Sequence, residues 1–160
     1  HMTNTNQSDH KSIPAKRVNI VSVKLCRESS LLYKPRYIST PKDAAVLVKD
    51  FLAFSDREVV VAVYLDTKNQ PTAISTISVG TLNSSLVHPR EVFKGAVLSN
   101  AAGLVIAHNH PSGVPEPSQD DIAITKRLDE AGKIMGIGLI DHVIIGGEGQ
   151  WVSLREMGLL

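Results

Sequence analysis

The sequence predicts an α/β fold, a mixed β-sheet flanked by helices, on three observations. Strand-like and helix-like stretches alternate along most of the chain. One early pair of strands is separated by a short turn and reads as a hairpin, which makes the sheet mixed rather than purely parallel. With 160 residues, 42% of them hydrophobic, the chain is long enough for one sizeable core and suits a single domain.

In chain order, residues 18–25 (VNIVSVKL) alternate apolar and polar, a strand pattern. Thr40 then precedes Pro41 and the helical stretch 41–54 (PKDAAVLVKDFLAF), with threonine as N-cap and proline at the first helical position. Residues 58–65 (EVVVAVYL) are β-branched and almost wholly apolar, as a central strand requires. Asp66-Thr67-Lys68-Asn69 reads as a turn, and 72–79 as the hairpin partner. Residues 89–100 (PREVFKGAVLSN) predict a helix, again with proline first, and 103–107 (GLVIA) a short buried strand. A Pro/Gly-rich loop covers 109–117 (NHPSGVPEP). Residues 118–135 predict a long amphipathic helix with apolar Ile122, Ile124, Leu128, Ala131, Ile134 and Met135. Residues 139–145 predict a strand closed by Gly146-Gly147, and 151–153 a short last strand before a final helical turn.

Residues 1–16 are polar and are expected to form a disordered leader that starts with a cloning remnant, His1-Met2. Residues 17–160 then form the single domain. No run of about 18 apolar residues offers a membrane span, and no secretory signal is visible. The single cysteine, Cys26, excludes an internal disulfide and a cysteine-based zinc site, and points to a reducing, cytoplasmic location. The net charge of +1 gives no global drive towards nucleic acid. It is unevenly spread, +5 over residues 1–50 and −4 over 51–160, so the basic third reads as a solvated arm or as a docking segment for an acidic partner.

The stretch richest in chemistry is Ala107-His108-Asn109-His110-Pro111-Ser112-Gly113. Two histidines two apart at a strand exit can point the same way, because strand side chains alternate. Imidazole is a common zinc ligand, but a catalytic zinc needs a third protein ligand plus a water. Asp121 is the candidate, eleven residues after His110 in the first turn of the next predicted helix. Pro111, Pro115 and Pro117 stiffen the loop between them. Ser118-x-x-Asp121 is also a capping-box pattern. Capping and ligation are expected to compete, for the carboxylate and for the serine hydroxyl alike. A bound water needs a base, for which Glu58, at the head of an apolar strand, is favoured over Glu91. The helix dipole already explains Glu91, and Glu116 reads as solvent-facing. Asn109 alternates away from the histidines and is expected to make a loop hydrogen bond, while Gly113 supplies a positive φ. Asp141-His142 is either a second layer of support for metal ligands or a satisfied core pair. His88 belongs to a turn before a helix. HExxH, the HxE/PCxxC pair of zinc deaminases and phosphate-binding glycine loops are absent.

His108-x-His110, seven residues, Ser118, two residues, Asp121 resembles the JAMM motif of the JAB/MPN metalloprotease superfamily. The words LDTKN (65–69), VGTLNSSLVHPREVFK (79–94), AHNHPSG (107–113), PSQDD (117–121) and DHVIIG (141–146) are similar to its bacterial RadC-like branch. The resemblance covers roughly residues 18–160 and implies a JAB/MPN-like sheet with cytidine-deaminase-like α-β-α layering. It implies one Zn2+ per chain held by His108, His110 and Asp121, with Glu58 as base and Ser118 as oxyanion helper. The activity implied is zinc-dependent hydrolysis of amide bonds in a protein or peptide substrate. Longer members of the branch resemble a fusion with an upstream helix-hairpin-helix module, which the residues before the first predicted strand do not match. An alternative is a DNA-repair-associated nucleic-acid-binding or scaffold protein without peptidase activity, and a third reading is a metal-dependent nuclease. No membrane partner is expected, and a homodimer is compatible with a compact α/β domain.

Overall fold

A computed structural model describes residues 12–52, 55–80 and 87–160. Most of the expected leader (1–11), the end of the first predicted helix (53–54) and part of one family-like motif (81–86) lie outside the described residues. The elements run α1 (Pro41–Leu52), β1 (Val59–Leu65), β2 (Pro71–Val79), α2 (Pro89–Leu98), β3 (Gly103–Asn109), α3 (Gln119–Met135), β4 (Gly138–Ile145) and β5 (Trp151–Ser153). They form one mixed sheet in the order β2-β1-β3-β4-β5, with β3 and β4 parallel and the other neighbours antiparallel. A parallel pair needs a long crossover, and α3 supplies it.

Strand β1 and residues 103–107 of β3 are apolar because helices cover both faces of the sheet. Val60, Ala62, Tyr64, Leu104 and Ile106 pack on one face with Val92 and Phe93 of α2 and Ile124 and Leu128 of α3. Val61, Val63, Leu65, Val105 and Ala107 pack on the other with Ala44, Leu47 and Val48 of α1. This α-β-α layering gives each strand position a definite side: even numbers in β1 and β3 look towards α2 and α3.

Helix starts follow the local chemistry. Thr40 Oγ1 accepts from Asp43 N, and Asp43 Oδ2 accepts from Thr40 N at 3.0 Å, a reciprocal cap at α1. His88 caps α2, its Nδ1 accepting from Arg90 N at 3.0 Å, which matches its expected place before a helix. Helix α3 ends at Gly136, whose φ of 68° lies in the left-handed region.

Two expectations fail. Residues 18–25 form no strand; Ile20 and Val23 are exposed, and only Leu25 approaches the groove between β2 and α2. Period-2 alternation specifies which side of a strand is apolar, but a strand exists only where a neighbour pairs with it, and among the described residues none does. In α3, Ile134 and Met135 are exposed. The helical period rotates Ile134 off the Ile124–Leu128 stripe, and Met135 is the last helical residue, about half exposed. The expected final helical turn is present as a single turn, Met157 N donating to Ser153 O at 3.1 Å, that does not continue into a helix.

One irregularity in the sheet bears on the site. Leu104 pairs with Leu139, yet Val105 pairs with Asp141, so Ile140 is an extra residue in β4. Beyond this bulge His142 sits opposite Ile106, on the α3 side. Without it, His142 would fall opposite Ala107, on the α1 side. No helix among the described residues is long and apolar enough to cross a membrane.

Candidate metal centre

Three chain segments converge at one end of the sheet. His108, the penultimate residue of β3, has the parity that faces α3 and is fully buried. His110 follows two residues later, held in line with the parallel ladder by its backbone N–H donating to Ile145 O at 2.8 Å. The two rings therefore share a side, with their Nε2 atoms 3.0 Å apart. Val60 pairs with His108 across the β1–β3 ladder. Two steps further along that register lies Glu58, whose Oε1 is 3.7 Å from His108 Nε2 and 4.0 Å from His110 Nε2.

Asp121 enters from the first turn of α3. Its Oδ1 is 3.2 Å from His108 Nε2, and its Oδ2 is 3.2 Å from His110 Nε2. Glu58, His108, His110 and Asp121 thus offer four donor atoms within 4.8 Å of one another, a group able to hold a metal ion. Glu91 is not part of it; it lies on α2 and pairs with Lys94 at 2.7 Å. Glu116 is exposed in the loop.

Capping and clustering do not exclude each other, contrary to the expectation from sequence. Ser118 Oγ accepts from Asp121 N at 3.1 Å, and Asp121 Oδ2 accepts from Ser118 N at 2.8 Å, so the capping box is complete. A carboxylate has lone pairs for several partners, so Oδ2 caps the helix and still faces His110. The serine uses an oxygen lone pair to cap, which leaves its hydroxyl proton uncommitted by that bond.

The supporting contacts orient each group. Asn109 Oδ1 accepts from Val59 N at 2.8 Å, and its Nδ2 donates to Arg57 O at 2.8 Å. It clamps the backbone on both sides of Glu58, a larger task than the loop hydrogen bond expected of it. His110 Nδ1 lies 2.8 Å from Val114 O. A carbonyl only accepts, so Nδ1 carries the proton and the neutral ring turns its Nε2 lone pair to the cluster. The loop behind it is closed by Gly113, at φ 86°, whose carbonyl accepts from Gly147 N at 2.8 Å. A Cβ on Gly146 would lie 2.6 Å from Gly113 O, so only glycine permits this approach.

The fit to a cation is testable on the atoms themselves. Asp121 Oδ1 is buried and makes no hydrogen bond, an arrangement that costs about 1–3 kcal/mol in an ordinary core. The two imidazole nitrogens are 3.0 Å apart and each lies 3.2 Å from one Asp121 oxygen, His108 from Oδ1 and His110 from Oδ2, close enough for one cation to be shared among them. Glu58 stands further off and is 18% exposed, against 1% for Asp121. Burial alone would raise the Asp121 carboxyl, but the His108 and His110 imidazoles outweigh it and hold the group well below the carboxylate range. The hydrogen bond to Asp121 raises His110 above the ordinary imidazole value, against an opposing effect of burial. Burial, aided by neighbouring His108, pushes His142 well down.

Asp141 does not support the cluster. It accepts from His142 N at 2.7 Å and from Arg155 N at 3.1 Å, pinning the C-terminal turn. His142 does reach it, with Nε2 2.7 Å from His108 Nδ1. Thr125, 2.6 Å from His142 Nδ1, was not singled out from the sequence. Its spacing of four from Asp121, on one helix face, was the available signal.

Comparison with known proteins agrees with this geometry. Residues 38–159 match the family described as the RadC-like JAB domain. A UPF0758 protein of Geobacillus sp. (strain WCH70) is 52% identical over 133 residues, covering 82% of this chain and 58% of that protein. One from Moorella thermoacetica is 54% identical over 77% of this chain and 53% of its own length. One from Methanosarcina mazei is 46% identical over 78% and 54%. The chain thus spans a little over half the length of these curated relatives. By the extent of the family match and the level of identity, this chain belongs to the RadC-like JAB domain family.

Proposed function

We propose that this domain is a zinc-dependent hydrolase of amide bonds, a JAMM-type metallopeptidase or isopeptidase. The observation that carries the reading is the buried carboxylate oxygen of Asp121, without a hydrogen bond beside two inward-facing imidazole nitrogens. Nitrogen and carboxylate donors with this spacing suit zinc better than larger, oxygen-loving calcium. His108, His110 and Asp121 would hold it. When bound, zinc polarises a carbonyl and brings the pKa of water to about 7.

The two carboxylates divide their roles by burial. Asp121, almost fully buried and tied into the helix cap, is suited to ligation. Glu58, at the strand head and partly exposed, can take a proton from the attacking water and return it to the leaving nitrogen. Such transfers contribute typically about 10²–10⁴ in rate. Asn109 keeps the Glu58 backbone from drifting. The Ser118 hydroxyl proton is available to a developing oxyanion, a role worth about 3 kcal/mol. Substrates in this reading are proteins or peptides.

The test is metal analysis of protein purified without added zinc, beside Asp121→Ala, with amide hydrolysis measured for wild type and Glu58→Gln. Stoichiometric zinc lost in the Asp121 variant, and cleavage lost in the Glu58 variant, support the reading. Equal zinc content in wild type and Asp121→Ala refutes it.

A second reading, a nucleic-acid-associated module, draws on one observation. Lys16, Arg17, Lys24, Arg27, Lys34 and Arg36 all lie exposed in the N-terminal segment, with Glu28 as the acidic residue among them. A DNA affinity that falls steeply with salt would favour it.

A further inference from the structure

We propose that Thr125 and His142 form a hydrogen-bond relay that holds His108 in the tautomer a metal ligand needs, with His142 as the positioning residue. The inference rests on the metal-site reading for its purpose, but its own observable is the proton position in the metal-free protein.

The proton positions follow from donor and acceptor chemistry, starting at α3. Thr125 Oγ1 lies 2.7 Å from the carbonyl oxygen of Asp121. That carbonyl can only accept, so the hydroxyl proton is committed to it. Thr125 Oγ1 also lies 2.6 Å from His142 Nδ1. Only a lone pair remains for this contact, so Nδ1 of His142 must carry the hydrogen. A neutral imidazole protonated at Nδ1 has its lone pair at Nε2. That atom is 2.7 Å from His108 Nδ1, which must therefore be protonated in turn. His108 Nε2 is left with a lone pair, aimed at Asp121 and His110.

Burial makes the relay decisive. Thr125, His108 and His142 are at most 1% exposed, so no bulk water competes for these atoms. In solution the imidazole of histidine favours the opposite tautomer, with the proton on Nε2, which would block ligation at that atom. Histidine ligands usually donate their second N–H to a carboxylate, a carbonyl or water. Here the acceptor is another imidazole. The relay also starts from the backbone of one proposed ligand, Asp121, and ends on the ring of another, His108, so the helix and the strand are set relative to each other. The β4 bulge is what turns His142 to this side.

The experiment uses the full chain, 15N-labelled and treated with chelator. Long-range 1H–15N correlation spectra report the tautomer of each ring. His108 and His142 are expected to be protonated at Nδ1 in wild type. In His142→Phe and in the near-isosteric Thr125→Val, His108 is expected to lose that single tautomer. Zinc affinity, read by competition with a chromophoric chelator, is expected to fall about 10–100-fold in both. His142→Gln, whose amide can accept from His108 and donate to Thr125, is expected to restore the His108 tautomer and most of the affinity. If His142→Phe fails to fold, Thr125→Val and His142→Gln carry the test.

A wild-type His108 protonated at Nε2, or one whose Nδ1 proton is unmoved in Thr125→Val, overturns the relay. Wild type that shows the expected tautomers yet binds no zinc leaves the relay standing and defeats the metal-site reading. Unchanged tautomers together with unchanged zinc affinity in the variants do the reverse.

Discussion

Replacing Asp121 by asparagine separates what the carboxylate does for the fold from what it does for a cation. Its Oδ2 accepts from Ser118 N, and an amide oxygen can keep that bond. Its Oδ1, without a hydrogen bond, is 3.2 Å from His108 Nε2. An amide nitrogen placed there can donate to the imidazole lone pair. Above the His110 ionisation, Asp121→Asn thus removes a buried charge from among acceptors and adds a hydrogen bond. The expected gain in the metal-free protein is about 1 kcal/mol, or roughly 2–4 °C in Tm. Zinc at a hundred times its Kd should stabilise wild type by about 2.7 kcal/mol. If the variant binds a hundredfold more weakly, the same zinc adds about 0.4 kcal/mol. Thermal melts followed by circular dichroism, with chelator and with zinc, read both effects. A variant that melts several degrees below wild type in chelator, and gains as much from zinc, would show that the carboxylate serves the fold and would refute this reasoning.

Glu58→Gln should lower the hydrolysis rate by about 10²–10⁴ while zinc content stays near wild type; loss of zinc with intact turnover would make Glu58 a ligand instead. The metal-free protein and the zinc increment should respond oppositely to pH. The raised His110 pKa contributes stability that is full below about pH 6.5 and fades as pH rises through the folded value. Below the His110 ionisation the lowered Asp121 also contributes stability, present above about pH 3.9 and fading as pH falls towards its folded value. Zinc requires neutral imidazoles, so its increment should grow from pH 6 to 8; parallel pH trends in melts with and without zinc would contradict this. Asn109→Ala leaves Val59 N and Arg57 O without their side-chain partner. It should destabilise by about 1–3 kcal/mol and reduce kcat with zinc affinity retained, which paired melts and chelator competition can check. Gly146→Ala puts a methyl group 2.6 Å from Gly113 O and 2.8 Å from Pro115 Cδ. It should cost about 1–3 kcal/mol and weaken zinc binding by loosening the loop that orients His110; unchanged affinity would separate that loop from the site.

The helices and the core strands were legible because their signals are local. Pro41 and Pro89 mark first helical positions, Ser118 marks a cap, and the apolar runs at 58–65 and 103–107 announce burial on both sides. Residues 18–25 show where such signals stop. Their alternation changes phase between Ile20 and Val21, so no single face collects all the apolar side chains, and pairing depends on a neighbour elsewhere in the chain. The amphipathic pattern of α3 shows the same limit, since Met135 has the right angle yet is half-exposed at the end of the helix.

The candidate site divides along the same line. The sequence by itself determined which groups were available at a strand end and a helix start: His108 and His110 two apart, Asp121 one stiff loop later, and Glu58 heading an apolar strand. Only the tertiary structure decided that Glu58 rather than Glu91 meets the histidines, because the β1–β3 register is a long-range pairing. It also decided that Asp121 caps and clusters at once, which turns on which oxygen faces which neighbour. The position of His142 depends on one extra residue in β4. A bulge reverses the side of the sheet on which every later side chain falls, and it is defined only by the pairing of β4 with β3, two segments brought together by the fold.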